Sequence, residues 1–127
     1  MPAGCKIGGA VSDSIVLIPD PMGATGSTVI QALDLYKSAF GGSIKPGRAK
    51  KFIAMHLIVT PEYLKNIQKH HSDLIVYALR LDRGLSPADV LTSRPGEKWG
   101  LEKGLNSEQY IVPGGGGFGE ILNNAYV

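Results

Sequence analysis

The stretch SIVLIPDPMGATGSTVIQALDLYKSAF, residues 14–40, decides the fold that we predict for this chain. Its four apolar residues 15–18 show no polar alternation, which predicts a strand buried on both faces, as in parallel α/β sheets. A loop of glycines and hydroxyl residues follows. Apolar residues then recur at helical spacing, namely Val29, Leu33, Tyr36 and Phe40. The stretch therefore predicts a strand, a loop and a helix in succession.

The loop of residues 20–28, called the phosphate loop below, has the composition of an anion site. Backbone N–H groups at a helix start attract anions, and glycines let a phosphate approach the backbone. Hydroxyl donors are supplied by Thr25, Ser27 and Thr28. Two common phosphate motifs are absent, because no lysine precedes Ser27 and the glycines do not follow the dinucleotide spacing.

Asp20 stands at the end of the predicted strand, just before these hydroxyls. A carboxylate accepts hydrogen bonds from two adjacent hydroxyls, such as those of a ribose whose 5′-phosphate lies in the loop. A simpler interpretation is that Asp20-Pro21 ends the strand and Ser27 caps the helix. The loop by itself leaves both interpretations open.

Two further apolar runs complete the predicted sheet. Residues 52–59 read as a strand, in which His56 is predicted to be a hydrogen-bonded core residue because no second metal ligand lies at a suitable spacing. Thr60-Pro61-Glu62 is a typical helix start, and the helix should run to about Lys69. Residues 73–81 form the third run. The pattern predicts one α/β domain, residues 1–127, with a parallel βαβαβ sheet and ligands beyond the carboxyl ends of its strands.

Composition excludes several classes of protein. The net charge of +2 is small, and the sequence contains no stripe of basic residues. Both observations argue against a nucleic-acid partner. The single cysteine, Cys5, cannot form an internal disulfide. No stretch approaches the ~20 apolar residues of a membrane span, and no signal peptide is visible. We therefore expect a cytoplasmic protein without a membrane or nucleic-acid partner.

Three stretches, in this order, resemble the uracil phosphoribosyltransferase family. DPMGATGST, residues 20–28, resembles the family's phosphoribosyl-diphosphate loop, and YIVPG, residues 110–114, resembles its uracil-binding segment. Between them, residues 51–62 match a strand that runs into a proline-started helix. The resemblance implies a type I phosphoribosyltransferase fold of the Rossmann-like kind, with a C-terminal glycine-rich base-binding segment. It also implies pyrimidine salvage, in which uracil and phosphoribosyl diphosphate, with Mg2+ on the diphosphate, give UMP and diphosphate.

The resemblance implies roles for particular residues. Asp20 would be the catalytic residue and would bind the ribose hydroxyls. The ribose and 5′-phosphate would also contact Met22, Ala24, Thr25, Gly26, Ser27 and Thr28. Residues 110–118, called the uracil segment below, would bind the base through Tyr110, Ile111, Gly116 and Phe118, mostly by main-chain groups. No protein side chain is implied as a metal ligand.

The chain departs from the family in three respects. Gly117 stands where the family has an aspartate, and Glu120 and Ile121 replace an acid and an arginine. Only the C-terminal half of the usual family length is covered, so we expect a homo-oligomer or association with a missing N-terminal half. The alternative is a non-catalytic UMP-binding regulatory subunit or an inactive truncated fragment.

The third departure is residues 85–108, which we predict to be an insertion over the ligand-binding edge. Within it, Ser86 is expected to cap a short helical turn, and Trp99 is expected either to anchor the loop or to belong to a lid. Asp82, just before it, is expected to support the base-binding side or to cap a turn.

Overall fold

The computed structural model of the chain describes residues 10–38 and 49–118. The strands are β1 (Ile15–Pro19), β2 (Met22–Gly23), β3 (Lys51–Val59) and β4 (Ile75–Leu81). The helices are α1 (Ser27–Lys37), α2 (Pro61–His70) and the single turn α3 (Ala88–Leu91), and a 3-10 turn spans Trp99–Leu101. Phe40, which we assigned to the apolar stripe of the first helix, and the departures at Glu120 and Ile121 lie outside the described residues.

All four strands belong to one parallel sheet with β3 at its centre. β1 and the short β2 pair with one side of β3, and β4 pairs with the other side. Pro19, Met55 and Tyr77 are register neighbours across the three long strands. The predicted βαβαβ unit is therefore confirmed.

The core lies between one face of this sheet and the helices α1 and α2. Because side chains alternate along a strand, every second residue of β3 faces the helices. The buried core cluster joins the sheet to the two helices and comprises Val29, Leu33, Phe52, Ala54, Val59, Tyr63, Ile67 and Leu74. Val29 and Leu33 belong to the predicted apolar stripe of α1, which is confirmed for the described residues.

The expectation that residues 15–18 are buried on both faces is wrong. Ile15 and Leu17 are 56% and 57% exposed, and Leu79 in β4 is 84% exposed. The described helices pack against one face only, so the alternate side chains of each strand have no covering layer. We call this second surface the open face; its large exposed side chains are Ile15, Leu17, Met55, Leu57, Tyr77 and Leu79.

The two main helices begin differently. Thr60 caps α2 as predicted, since its hydroxyl accepts the Tyr63 N–H at 3.0 Å, and α2 continues one residue beyond Lys69. Helix α1 instead begins after Gly26, which has a left-handed backbone with φ 86° and offers no side-chain cap. The interpretation of Ser27 as the helix cap is therefore wrong.

Residues 85–108 wrap around the side chain of Arg83. Its guanidinium donates to the carbonyl oxygens of Val90, Leu91 and Ser93. It also contacts the carboxylate of Glu102, whose side chain is buried. Ser86 does not cap α3, because its hydroxyl instead exchanges hydrogen bonds with the backbone of Lys103.

Trp99 is partly buried, and the ammonium of Lys65 in α2 lies 5.2 Å from the centre of its ring. Within residues 10–38 and 49–118, no helix has the length and apolar character needed to cross a membrane.

Candidate functional site

The phosphate loop presents an uncapped helix start. Gly26, the residue at the N-cap of α1, contributes no side chain and so makes no cap hydrogen bond. Thr25 and Ser27 bring their hydroxyl oxygens to 3.0 Å from one another, and the Ser27 N–H donates to the Thr25 hydroxyl at 3.3 Å. Hydroxyls and N–H groups thus converge where the helix dipole is positive, which is suited to an anion.

Asp20 directly follows β1 at the carboxyl edge of the sheet and is partly exposed. One carboxylate oxygen, Oδ1, accepts the Met22 N–H at 3.2 Å. This bond holds the side chain beside the phosphate loop. A carboxylate in this position is chemically suited to accept hydrogen bonds from sugar hydroxyls.

Two buried aromatic side chains, His56 and Tyr63, support the phosphate loop through hydrogen bonds. His56 Nδ1 lies 2.6 Å from the Asp20 carbonyl oxygen, and His56 Nε2 lies 2.7 Å from the Tyr63 hydroxyl. Because a carbonyl only accepts, Nδ1 carries the proton and Tyr63 donates to Nε2. The prediction of a hydrogen-bonded core histidine is confirmed.

The surroundings keep this pair uncharged. Burial lowers the pKa of His56 below 6.5, although the carbonyl and the negative charge of Asp20 oppose that shift. Burial also raises the pKa of the Tyr63 hydroxyl, and the charge of Asp20 adds to the rise. A neutral imidazole under the loop is thus the favoured state at neutral pH.

The uracil segment is held by Asp82, which is 1% exposed. Its Oδ1 accepts the Gly84 N–H at 2.9 Å, and its Oδ2 accepts the Gly114 N–H at 2.8 Å. One carboxylate therefore caps the turn after β4, which confirms the turn-cap expectation, and it also holds the glycine turn, whose role in binding the base stays a prediction. A side chain at Gly114 would collide with it, because an added Cβ would lie 2.2 Å from Oδ2.

Helix α2 holds the chain that leads into the uracil segment. Both carboxylate oxygens of Glu62 accept the Gly104 N–H, at 3.1 and 3.0 Å, and one of them also accepts the Leu105 N–H at 3.2 Å. The sequence analysis assigned Glu62 only to the first turn of the helix. Its partners lie more than 40 positions away along the chain, so no local pattern could have revealed them.

The phosphate loop and the uracil segment meet. The sulfur of Met22 would lie 3.3 Å from a Cβ placed on Gly115. A small apolar cluster of Ile58, Leu105 and Ile111 packs against Met22 and Ala24. The structure thus brings the two predicted halves of the site into contact.

Within the uracil segment, the main chain is already folded on itself. Residues 110–112 do not form a strand, because Ile111 forms only isolated antiparallel bridges, to Leu105 and Gly116. The Ile111 carbonyl accepts the N–H groups of Gly115 and Gly116 at 2.8 and 2.7 Å. Phe118 is 45% exposed. For the main-chain groups of Ile111 and Gly116 to bind a base, the hydrogen bonds within this turn would therefore have to break.

Comparison with known proteins fits this geometry. A family model described as "Uracil phosphoribosyltransferase" matches residues 3–97, more than half of the chain. The chain belongs to this family. The match includes the phosphate loop, β3 and α2, and it ends before the uracil segment.

Similar members of the uracil phosphoribosyltransferase family come from several bacteria. A protein named uracil phosphoribosyltransferase from Thermosipho melanesiensis is 34% identical over 110 residues, which are 87% of this chain and 39% of the relative. One of the same name from Bacillus velezensis is 32% identical, over 92% of this chain and 43% of the relative. A third, from Clostridioides difficile, is 29% identical over 93% of this chain and 43% of the relative.

A solved structure, the AQ2163 protein from Aquifex aeolicus, superposes with a TM-score of 0.62 and is 28% identical. The match covers 92% of this chain and 43% of that chain. The chain therefore spans about two fifths of the length of the family members it matches. The parallel sheet agrees with the type I phosphoribosyltransferase fold.

Proposed function

We propose that this chain forms the UMP-binding part of a uracil phosphoribosyltransferase, which converts uracil and phosphoribosyl diphosphate into UMP and diphosphate. The observation that carries the proposal is the packing of Met22 and Ala24 in the phosphate loop against an apolar cluster that contains Ile111 of the uracil segment. This packing supports a nucleotide site in which the two segments lie side by side, as the phosphate and the base of a nucleoside monophosphate require. The family of the chain supports the choice of uracil.

In this proposal the phosphate loop holds the 5′-phosphate. Its hydroxyls and the uncapped start of α1 would donate to the phosphate oxygens, through Thr25, Ser27 and Thr28. Met22, Ala24 and Gly26 would form the backbone of the same site, and Asp20 would accept the ribose hydroxyls. Binding both ends of the ribose would fix its C1′ atom in front of the uracil segment.

The reaction needs positioning more than proton-transfer side chains. The bond between C1′ and the diphosphate oxygen breaks, a bond from uracil N1 to C1′ forms, and the N1 proton is released. Positive charge develops on the ribose ring and is stabilised by a nearby carboxylate, here Asp20. Asp20 is therefore the proposed catalytic residue.

The uracil segment would recognise the base by its main chain. Uracil offers two carbonyl acceptors with an N–H donor between them, which main-chain groups of Ile111, Gly116 and Phe118 can complement. Tyr110 would flank the base. Because Gly116 N–H donates to the Ile111 carbonyl in the structure, uracil would have to replace that bond.

Mg2+ enters this proposal as part of the diphosphate substrate. Among residues 10–38 and 49–118 no group of three or more histidine, cysteine, aspartate or glutamate side chains could hold a metal ion. The ion would neutralise the leaving diphosphate, and this chain's residues would bind the ribose and 5′-phosphate.

The open face is the proposed site of association, with a second copy of the chain or with a chain that supplies the missing half. Parallel sheets are normally covered on both faces, and here one apolar face is exposed. A non-catalytic UMP-binding subunit is the second candidate function. It is favoured by Gly117, which stands where the family has an aspartate.

The test is calorimetric titration of the 127-residue chain with UMP, followed by an assay of UMP formation from uracil and phosphoribosyl diphosphate. UMP binding together with turnover supports the enzyme. UMP binding without turnover supports the regulatory subunit. A folded chain that binds no UMP contradicts both.

A further inference from the structure

Several carbonyl groups of the phosphate loop turn towards one segment of the chain. Five of its carbonyl oxygens accept hydrogen bonds from residues 56–66, those of Asp20, Pro21, Gly23, Ala24 and Thr25. The backbone of β3 and the start of α2 supplies the donors to Pro21 and Gly23. The other three bonds come from side chains.

These three side-chain donors reach the first residue of the loop and its middle. His56 Nδ1 lies 2.6 Å from the Asp20 carbonyl oxygen. The hydroxyl of Thr60 donates to the Ala24 carbonyl at 2.6 Å, and the Asn66 amide donates to the Thr25 carbonyl at 2.8 Å.

Carbonyls held in this way set the direction of the following N–H groups. In a planar trans peptide, the C=O of one residue and the N–H of the next point in opposite directions. The bonds from Thr60 and Asn66 therefore direct the N–H groups of Thr25 and Gly26 away from α2. Those N–H groups immediately precede the uncapped first turn of α1.

We propose that Thr60 and Asn66 are positioning residues that orient the Thr25 and Gly26 amides of the phosphate loop towards the phosphate of the ligand. Neither needs to contact the ligand. The inference rests on the proposed function for the identity of that ligand, and it adds residues outside the loop that determine affinity for its phosphate.

Asn66 gives the cleaner test of the two. Thr60 is buried and also caps α2, so a change at Thr60 disturbs the fold. Asn66 is only partly buried. Asn66→Leu keeps the size of the side chain, adds no charge near the phosphate and removes the donor. Gln68→Leu, on an exposed position of the same helix, is the matched control.

The experiment compares UMP with uridine, which lacks the phosphate, by calorimetric titration of the full chain. Asn66→Leu should bind UMP about three- to tenfold more weakly, the effect of one hydrogen bond between uncharged groups. Its affinity for uridine should match that of Gln68→Leu. Equal UMP affinity in the two variants, or an equal loss for uridine and UMP, would overturn the inference and leave the proposed function standing.

Amide hydrogen exchange on the unliganded chain makes the inference testable if the wild-type chain binds no UMP. Asn66→Leu should speed exchange of the Gly26 amide at least threefold relative to Gln68→Leu, because the Thr25 carbonyl that precedes this amide is released. Unchanged exchange would overturn the positioning role. Faster exchange without UMP binding by the wild type would support it and reject UMP as the ligand.

Discussion

Replacing Asp82 by asparagine should weaken the attachment of the uracil segment to the rest of the fold. Each carboxylate oxygen accepts one N–H, from Gly84 at 2.9 Å and from Gly114 at 2.8 Å. An asparagine has one oxygen and one NH2 group, so in either orientation one backbone N–H would face another donor. The side chain is buried, and water cannot replace the lost acceptor.

The size of the effect follows from the kind of bond that is lost. A hydrogen bond to a charged group contributes about 1.5–3 kcal/mol, and leaving its partner buried and unpaired costs a similar amount. The free energy of unfolding should therefore fall by about 1.5–3 kcal/mol. If the loss falls on the uracil segment, UMP affinity should drop about ten- to a hundredfold.

The assay is urea unfolding combined with titration of UMP and of ribose 5-phosphate. Asp89→Asn, the same change at an exposed aspartate, is the control; it removes only an exposed ion pair with Lys98, so it should change both quantities far less. Ribose 5-phosphate binding should be kept in Asp82→Asn, because the phosphate loop does not contact that carboxylate. A variant with wild-type stability and UMP affinity would refute the account of how the segment is held.

Three further predictions concern the loop support, its pH dependence and the open face. Gly23→Ala should lower the free energy of unfolding by about 1–3 kcal/mol in urea, because its Cβ would lie 2.8 Å from the Tyr63 ring; Gly100→Ala, with no atom within 4 Å, should be harmless. The free energy of unfolding should fall as pH drops below 6.5, because burial lowers the pKa of His56 and only the unfolded chain takes up a proton just below that pH. In His56→Gln, the urea midpoint should lose this dependence on pH. Leu79→Lys should reduce the mass seen by light scattering, and a wild-type mass of 13.5 kDa would contradict association through the open face.

Local sequence patterns predicted the elements that carry the site. The apolar run before Pro19 and the spacing of Val29 and Leu33 define the β1–loop–α1 unit, and the cap formed by Thr60 defines the start of α2. These features depend on neighbours within a few positions, which is why the sequence alone was sufficient. The family resemblance then supplied the substrate expectation.

Tertiary relationships could not be predicted in the same way. The apolar character of a strand residue such as Ile15 does not show whether a second layer of structure covers its side chain. The Glu62 carboxylate and the Asn66 amide have partners about 40 positions away, in different loops. Ser86 has a better partner in Lys103 than in its own helix turn. Each of these outcomes depends on how loops approach one another in space.

The most direct test of the central claim is UMP titration of the wild-type chain beside Asp20→Asn. Asparagine keeps the size of the side chain and can still accept the Met22 N–H, so the fold should be retained. We predict one UMP bound per chain and an affinity at least tenfold weaker in the variant, because the charged acceptor for the ribose hydroxyls is gone. A folded wild-type chain that gives no binding heat, or equal affinities in the two proteins, would contradict the claim that this chain binds the nucleotide through Asp20.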